Sequence, residues 1–359
     1  MEQFHCTTKI IRAESAATLK SLGIRRLLLV TDPFFMKSGT AQRLAAEAHA
    51  EMTEIFSQVE PDPSVELAAK GTAVVEACKP DTIVALGGGS TMDCAKAMAY
   101  FYAEPVRLVM IPTTSGSGSE VTDFAVLTHG QTKHPLVDPK LQPDVAILDS
   151  ALLDKLPRSL IADAGFDILS HALEALVATG AGAVTDALAK EAFCVAYQHL
   201  ADSYQGNTQV RGQIHSAATM AGMAFTQAGL GLCHAMAHCL GGMFHVAHGR
   251  LNAILLPSVV AFNAQTAGAK YAAAARAAGM AGAADTLAVR NLRNGLIRLR
   301  RELGLPQTLQ QAGVDPGQLR DRKAEILKTV MEDPCCKTNP VQVETWGVSA
   351  ILDEVAGHG

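Results

Sequence analysis

Residues Thr82–Leu86 read TIVAL and lead without a break into Gly87-Gly88-Gly89-Ser90. A short apolar run without alternation is the pattern of a strand buried on both faces. The glycines that end it mark a turn, and TMDCAKAMAY beyond them has helical composition. The same grammar recurs in RLLLVT at 26–31, RLVMI at 107–111 and VAIL at 145–148, with helical stretches at 41–50 and 65–77 between them. Strand–helix alternation of this kind predicts a parallel sheet with helices on both faces. After Pro157 the β-branched runs thin out. Alanine-rich segments at 159–178, 185–201, 211–225 and 267–278 predict helices. The chain therefore reads as an α/β domain over 1–157 followed by an all-helical domain over 158–359, in line with about 150 residues per domain.

Hydrophobic residues at 48% and charged residues at 18% exclude a disordered chain. A net charge of −5 gives no basic footprint for nucleic acid. No apolar run reaches the roughly 18 residues of a membrane span, and Pro257 is expected to interrupt the longest, 251–262. MEQFHCTTKI lacks the pattern of a secretory signal, so a soluble, cytoplasmic protein is expected. Eight cysteines without a C-x-x-C pair are expected to be reduced thiols.

In the first half, Gly87, Gly88 and Gly89 let backbone approach a ligand closely. A helix opening at Ser90, with Asp93 three residues on as a variant capping box, would aim free N–H groups at a phosphate. The same residues also suit a tight turn without a ligand. A second loop, Pro112 to Glu120, carries only hydroxyl residues and glycines from Thr114 to Ser119. Two such loops after neighbouring parallel strands fit a ligand site beyond the strand carboxyl ends. Asp32, after RLLLVT, could accept both ribose hydroxyls of an adenosine and repel a 2′-phosphate, or simply form a turn before Pro33. It precedes the glycine loop instead of following it, so the strict G-x-G-x-x-G fingerprint is absent.

In the second half, Asp163, Asp167 and His171 are spaced i, i+4, i+8 on an expected helix, with Glu174 three residues further. His234 and His238 form another i, i+4 pair, and His245 and His248 follow Gly241-Gly242. Their neighbours are apolar, and imidazoles buried without partners are costly. A divalent metal held by one carboxylate and three imidazoles accounts for them, leaving a position open for a substrate oxygen.

The segments GGGSTMDCAKA (87–97), IPTTSGSGSEVT (111–122), KHPLVDPKLQPDVAILD (133–149), ADAGFDILSHALEA (162–175), GLGLCHAMAHCLGGMFHVAHG (229–249) and KTNP (337–340) resemble the iron-containing (group III) alcohol dehydrogenase family. Within it, AGMAFTQAGLGLCHAMAH is similar to the propanol dehydrogenases of propanediol-utilisation microcompartments, and also to ethanolamine-pathway alcohol dehydrogenases. The resemblance implies a dehydroquinate synthase-like fold, with a dinucleotide-binding α/β domain and a helical metal and substrate domain. It assigns the metal to Asp167, His171, His234 and His248. It assigns NAD to Asp32, Asp62, Gly89, Ser90, Thr113, Thr114, Ser117, Thr122, Val126 and Lys133, beside Gly88 and Asp93 of the glycine turn. Phe225 and Cys335 match positions lining the alcohol pocket, and His238 matches a histidine beside the metal that could pass the alcohol proton outward.

The implied reaction is hydride transfer between short-chain primary alcohols, 1-propanol foremost, and NAD, with the nicotinamide in a cleft between the domains. Fe(II) is the metal the family name implies, with Zn(II) the alternative. A homodimer or higher homo-oligomer, associated with a microcompartment shell, is also implied. Ethanol or polyol dehydrogenases and a dehydroquinate-synthase-like lyase share the scaffold; a non-catalytic binding protein of that fold is the more distant reading. Val341 stands where the family usually continues N-P with Arg.

Overall fold

The computed structural model describes residues 4–130 and 132–357, and its chain contacts divide it into His5–Leu156 and the part from Pro157 onward. In the first unit the strands are β1 (Lys9–Ile11), β2 (Arg26–Thr31), β3 (Met52–Phe56), β4 (Thr82–Gly87), β5 (Arg107–Pro112), β6 (Phe124–His129), β7 (Thr132–Val137) and β8 (Val145–Ile147). Six of them form one parallel sheet in the order β1-β8-β5-β4-β2-β3. Helices α1 (Ser15–Ser21), α2 (Pro33–Lys37), α3 (Thr40–Glu47), α4 (Val65–Cys78) and α5 (Gly89–Phe101) connect them.

The register explains the unbroken apolar runs. Leu29, Val84 and Val109 are paired across β2, β4 and β5, and pack with Leu19 of α1 and Leu44 of α3. Leu28, Ile83 and Leu108, one residue along, pack with Val75 of α4 and Met92 of α5 on the opposite face. Both faces are thus covered, so alternation disappears. Because the strands run parallel, Asp32, the glycine turn and the 113–119 loop share the carboxyl edge of the sheet.

Two local expectations are corrected. Helix α5 opens at Gly89 with Gly88 as its N-cap and no side-chain cap, so Ser90 does not open it and Asp93 makes no capping box. The Asp93 carboxylate instead accepts from the Ser119 hydroxyl (2.6 Å) and the Val126 N–H (3.0 Å), tying the helix to the loop and to β6. The antiparallel hairpin β6–β7, unforeseen from sequence, pairs Phe124 with Val137.

The second unit contains α6 (Arg158–Val177), α7 (Ala183–Gln205), α8 (Arg211–Ala228), α9 (Leu232–Phe244), α10 (His248–Ala277), α11 (Asp285–Glu302), α12 (Pro316–Asp321), α13 (Lys323–Glu332) and α14 (Thr345–Ala356). Pro257 does not interrupt its segment: α10 runs through it for 30 residues, and 267–278 is the tail of this helix. A Cβ at Gly249 would lie 2.0 Å from the Asp163 carbonyl oxygen, so glycine is what allows the start of α10 to touch the backbone of α6. No helix among the described residues is long and apolar enough to cross a membrane.

Candidate active site

At the sheet edge, the two small-residue loops interlock. Thr113 N–H donates to the Gly87 carbonyl (3.0 Å), and Cβ atoms at Gly88 and Gly89 would lie 3.2 Å from the Thr114 hydroxyl and 3.0 Å from Ser117. Asp62, in a left-handed conformation, donates its N–H to Ser90 Oγ (3.2 Å), and its carboxylate meets Lys133 of β7 at 2.5 Å. Asp32 caps α2, its Oδ1 accepting from Phe34 N (2.8 Å) and Phe35 N (3.1 Å). Lys96, fully buried, donates to Thr122 Oγ1 (2.8 Å) and to the carbonyls of Thr122 and Phe124 (both 2.9 Å). Thr122 is therefore engaged by the Lys96 ammonium, and the Val126 N–H by the Asp93 carboxylate.

In the helical unit, ligand atoms of Asp167, His234 and His248 lie within 4.8 Å of one another. His171, one turn beyond Asp167 on α6, packs beside this trio. Its ring stacks between Phe225 (centroids 4.4 Å) and His234 (4.5 Å), with Nδ1 3.9 Å from Asp167 Oδ1. Burial favours the neutral acid at Asp167, but His171, His234 and His248 outweigh it and hold the carboxyl well below its usual range. Burial likewise opposes charge on His234, yet Asp167 and Glu174 raise it to about 9. Burial and the neighbouring imidazoles depress His248 well below its usual value, against the pull of Asp167, although a third of its side chain stays open. One carboxylate and imidazoles, with no sulfur, form a donor set that suits a divalent cation such as Fe(II) or Zn(II).

Asp163 takes no part; its carboxylate holds Arg250 through two bonds of 3.2 and 2.9 Å. His238 lies at the open side of the cluster, stacked on His248 (5.3 Å), with Nδ1 3.0 Å from Asp333 Oδ2. Cys335 joins His238 and Asp333 in a second close group. His245, at the exposed C-cap of α9, stands apart.

Two buried residues beyond the assigned set organise the cluster. Glu174 Oε2 meets His234 Nδ1 at 2.6 Å and accepts from the N–H groups of Gly231 (3.1 Å) and His234 (3.3 Å), while Oε1 accepts from Cys233 N (2.6 Å). Asn252 donates to Asp167 Oδ1 (2.9 Å) and faces His248 Nε2 (3.2 Å). Helical spacing carried both signals: Glu174 follows His171 by three residues, and Asn252 follows His248 by four.

Comparison with known proteins covers both halves. A model described as iron-containing alcohol dehydrogenase matches residues 8–150, and one described as the C-terminal part of the Fe-containing alcohol dehydrogenase family matches 161–356. The chain is 38% identical to an NADPH-dependent butanol dehydrogenase of Clostridium saccharobutylicum, over 92% of this chain and 91% of that protein. It is 36% identical to the 1-propanol dehydrogenase PduQ of Citrobacter freundii, over 99% and 100%. The structure of an iron-containing alcohol dehydrogenase from Thermococcus thioreducens superposes with a TM-score of 0.89 at 32% identity, over 98% and 99%. The sheet, the helical unit and these matches agree: the chain belongs to the iron-containing alcohol dehydrogenase family.

Proposed function

We propose that this alcohol dehydrogenase interconverts short-chain primary alcohols and aldehydes, 1-propanol and propanal foremost, with NAD as hydride carrier and Fe(II) as metal. The observation that carries the metal role is the convergence of ligand atoms of Asp167, His234 and His248, with the His171 ring packed beside them, the carboxyl held ionised and His248 held neutral. When bound there, a divalent cation supplies Lewis acidity toward the substrate oxygen. Glu174 keeps a proton on His234 Nδ1 and so reserves Nε2 for the site. Phe225 and Cys335 line the alcohol pocket, and His238 moves the alcohol proton between the pocket and solvent.

The glycine turn, the hydroxyl-rich loop and the Asp62–Lys133 pair support dinucleotide binding at the sheet edge. The apolar surroundings support short aliphatic substrates, since a buried hydroxyl without a partner is costly. The similar butanol and propanol dehydrogenases support the same range. A homo-oligomer and residence in a microcompartment belong to this reading, and sizing and fractionation in the native host test them.

The direct test is NADH oxidation with ethanal, propanal and butanal, against glyceraldehyde and dihydroxyacetone, on anaerobically purified protein with and without chelator. Chelator-sensitive turnover favouring the first three supports the reading. Preference for the hydroxylated substrates moves the protein to the polyol dehydrogenases. His234→Ala and His248→Ala should lose bound metal and turnover, whereas His245→Asn, which tolerates the left-handed backbone there, should keep both.

A further inference from the structure

We propose that His238, Asp333 and Cys335 form a second cation site, suited to Zn(II) and other thiophilic divalent ions, beside the cluster of Asp167, His171, His234 and His248. One donor atom from each lies within 4.8 Å of the others. Asp333 caps the short helical turn Pro334–Thr338, its Oδ1 accepting the Cys335 N–H at 2.8 Å. Carboxylate and thiol residue are thereby locked in one turn, with Oδ2 facing His238 Nδ1 at 3.0 Å. Zinc bonds of about 2.0–2.3 Å put the ligands of one tetrahedral ion roughly 3.2–3.8 Å apart. The trio, already within 4.8 Å, closes to that spacing by side-chain movement of roughly an ångström.

The donor set selects the ion. Imidazole, carboxylate and thiolate together suit Zn(II), whereas Mg(II) and Ca(II) prefer all-oxygen sites. The thiol proton is released to solvent as the metal–sulfur bond forms. His238 has 40% of its side chain exposed against 15% for Asp333, so one side of the trio stays open to solvent and to a fourth ligand. The consequence for catalysis rests on the pocket assignment above: an ion here would occupy His238 and Cys335 together, making excess Zn(II) an inhibitor whose effect is reversed by desalting.

Cobalt distinguishes the two sites, because the first cluster offers no sulfur. Metal-free protein is titrated with Co(II) and followed optically. The first equivalent should raise visible d–d absorption without a near-ultraviolet thiolate-to-cobalt band. Further Co(II) should bring in that band, and Zn(II) should bleach it. Cys335→Ser should abolish the band and Asp333→Asn should weaken Co(II) binding at this step, both leaving the d–d absorption of the first equivalent in place. Stoichiometry that stops at one equivalent, a second equivalent without the sulfur band, or a band unchanged in Cys335→Ser overturns the second site and leaves the first untouched. Loss of the first-equivalent absorption in His234→Ala reports on the first cluster alone, and its retention there overturns that assignment.

Discussion

Arg300 supplies the hydrogen bond that Pro257 cannot. In α10 the Ala253 carbonyl has proline four residues ahead and so no N–H to accept; Arg300 Nη1 reaches across from α11 and donates to Ala253 and Ile254, both at 3.0 Å. Burial, with Arg301 as a neighbouring like charge, lowers the guanidinium to about 10, so it remains charged at neutral pH. The helix it repairs begins with His248 and carries Asn252.

Arg300→Met should therefore destabilise the protein by about 1–3 kcal/mol, the cost of a buried carbonyl left without a donor. Pro257→Ala restores the missing N–H. In that background the same Arg300 substitution should cost less by about 1 kcal/mol or more. Denaturant unfolding of the four proteins in the cycle measures the difference, and strict additivity would show that Arg300 acts elsewhere.

Glu174 is the second organiser. Its carboxylate accepts four bonds at the start of α9, two of them from His234, through its backbone N–H and its Nδ1. A Cβ at Gly231 would come within 2.8 Å of Glu174 Oε1, so the glycine makes room for it. Glu174→Gln keeps the volume but leaves one accepting oxygen. Metal affinity should fall about 10–100-fold, read by competition with a chelator. Unchanged affinity in a folded variant would reduce Glu174 to a cap on α9.

The residues legible in the sequence were those whose periodicity is local. TIVAL and RLVMI read as central strands because both faces are covered, and Asp167–His171 reads as a pair because one helical turn joins them. Glu174 and Asn252 carried the same spacing, but a buried acid or amide in a helix looks like a solvated one until the opposing helix is known. Pro257 was misread for a related reason: its compensation comes from Arg300, far along the chain. The β6–β7 hairpin was missed because TKHPLV is polar and contains a proline, and only its pairing with β6 makes it a strand.

We propose that cofactor choice turns on Asp32. Both of its capping bonds fall on Oδ1, so a carboxylate oxygen can face a ribose while the cap is kept. The similarity to an NADPH-dependent butanol dehydrogenase does not fix the preference here. Asp32→Gly removes the charge while costing the cap only a few tenths of a kcal/mol. The ratio of kcat/KM for NAD over NADP should fall by about tenfold or more, equivalent to about 1.4 kcal/mol. A wild-type preference for NADP, or an unchanged ratio in the variant, would contradict the placement of Asp32 against the ribose.

Lys96 predicts an alkaline rise in stability. Burial lowers its ammonium from an ordinary 10.5 to about 8, against the pull of Asp93, Glu120 and Asp123. Below pH 8 folded and unfolded chains both carry the proton, and the folded state bears the full cost of burying it. Between 8 and 10.5 the unfolded chain binds more protons than the folded one, so stability rises with pH, by up to about 3 kcal/mol for this group. Other groups titrate in the same range, so the comparison is with Lys96→Met. That variant should be less stable throughout, because the carbonyls of Thr122 and Phe124 lose their donor. Its deficit in Tm relative to wild type should widen as the pH is raised from below 8 toward 10.5, measured calorimetrically under reducing conditions. A deficit that stays constant or narrows would mean that Lys96 keeps an ordinary proton affinity in the folded chain.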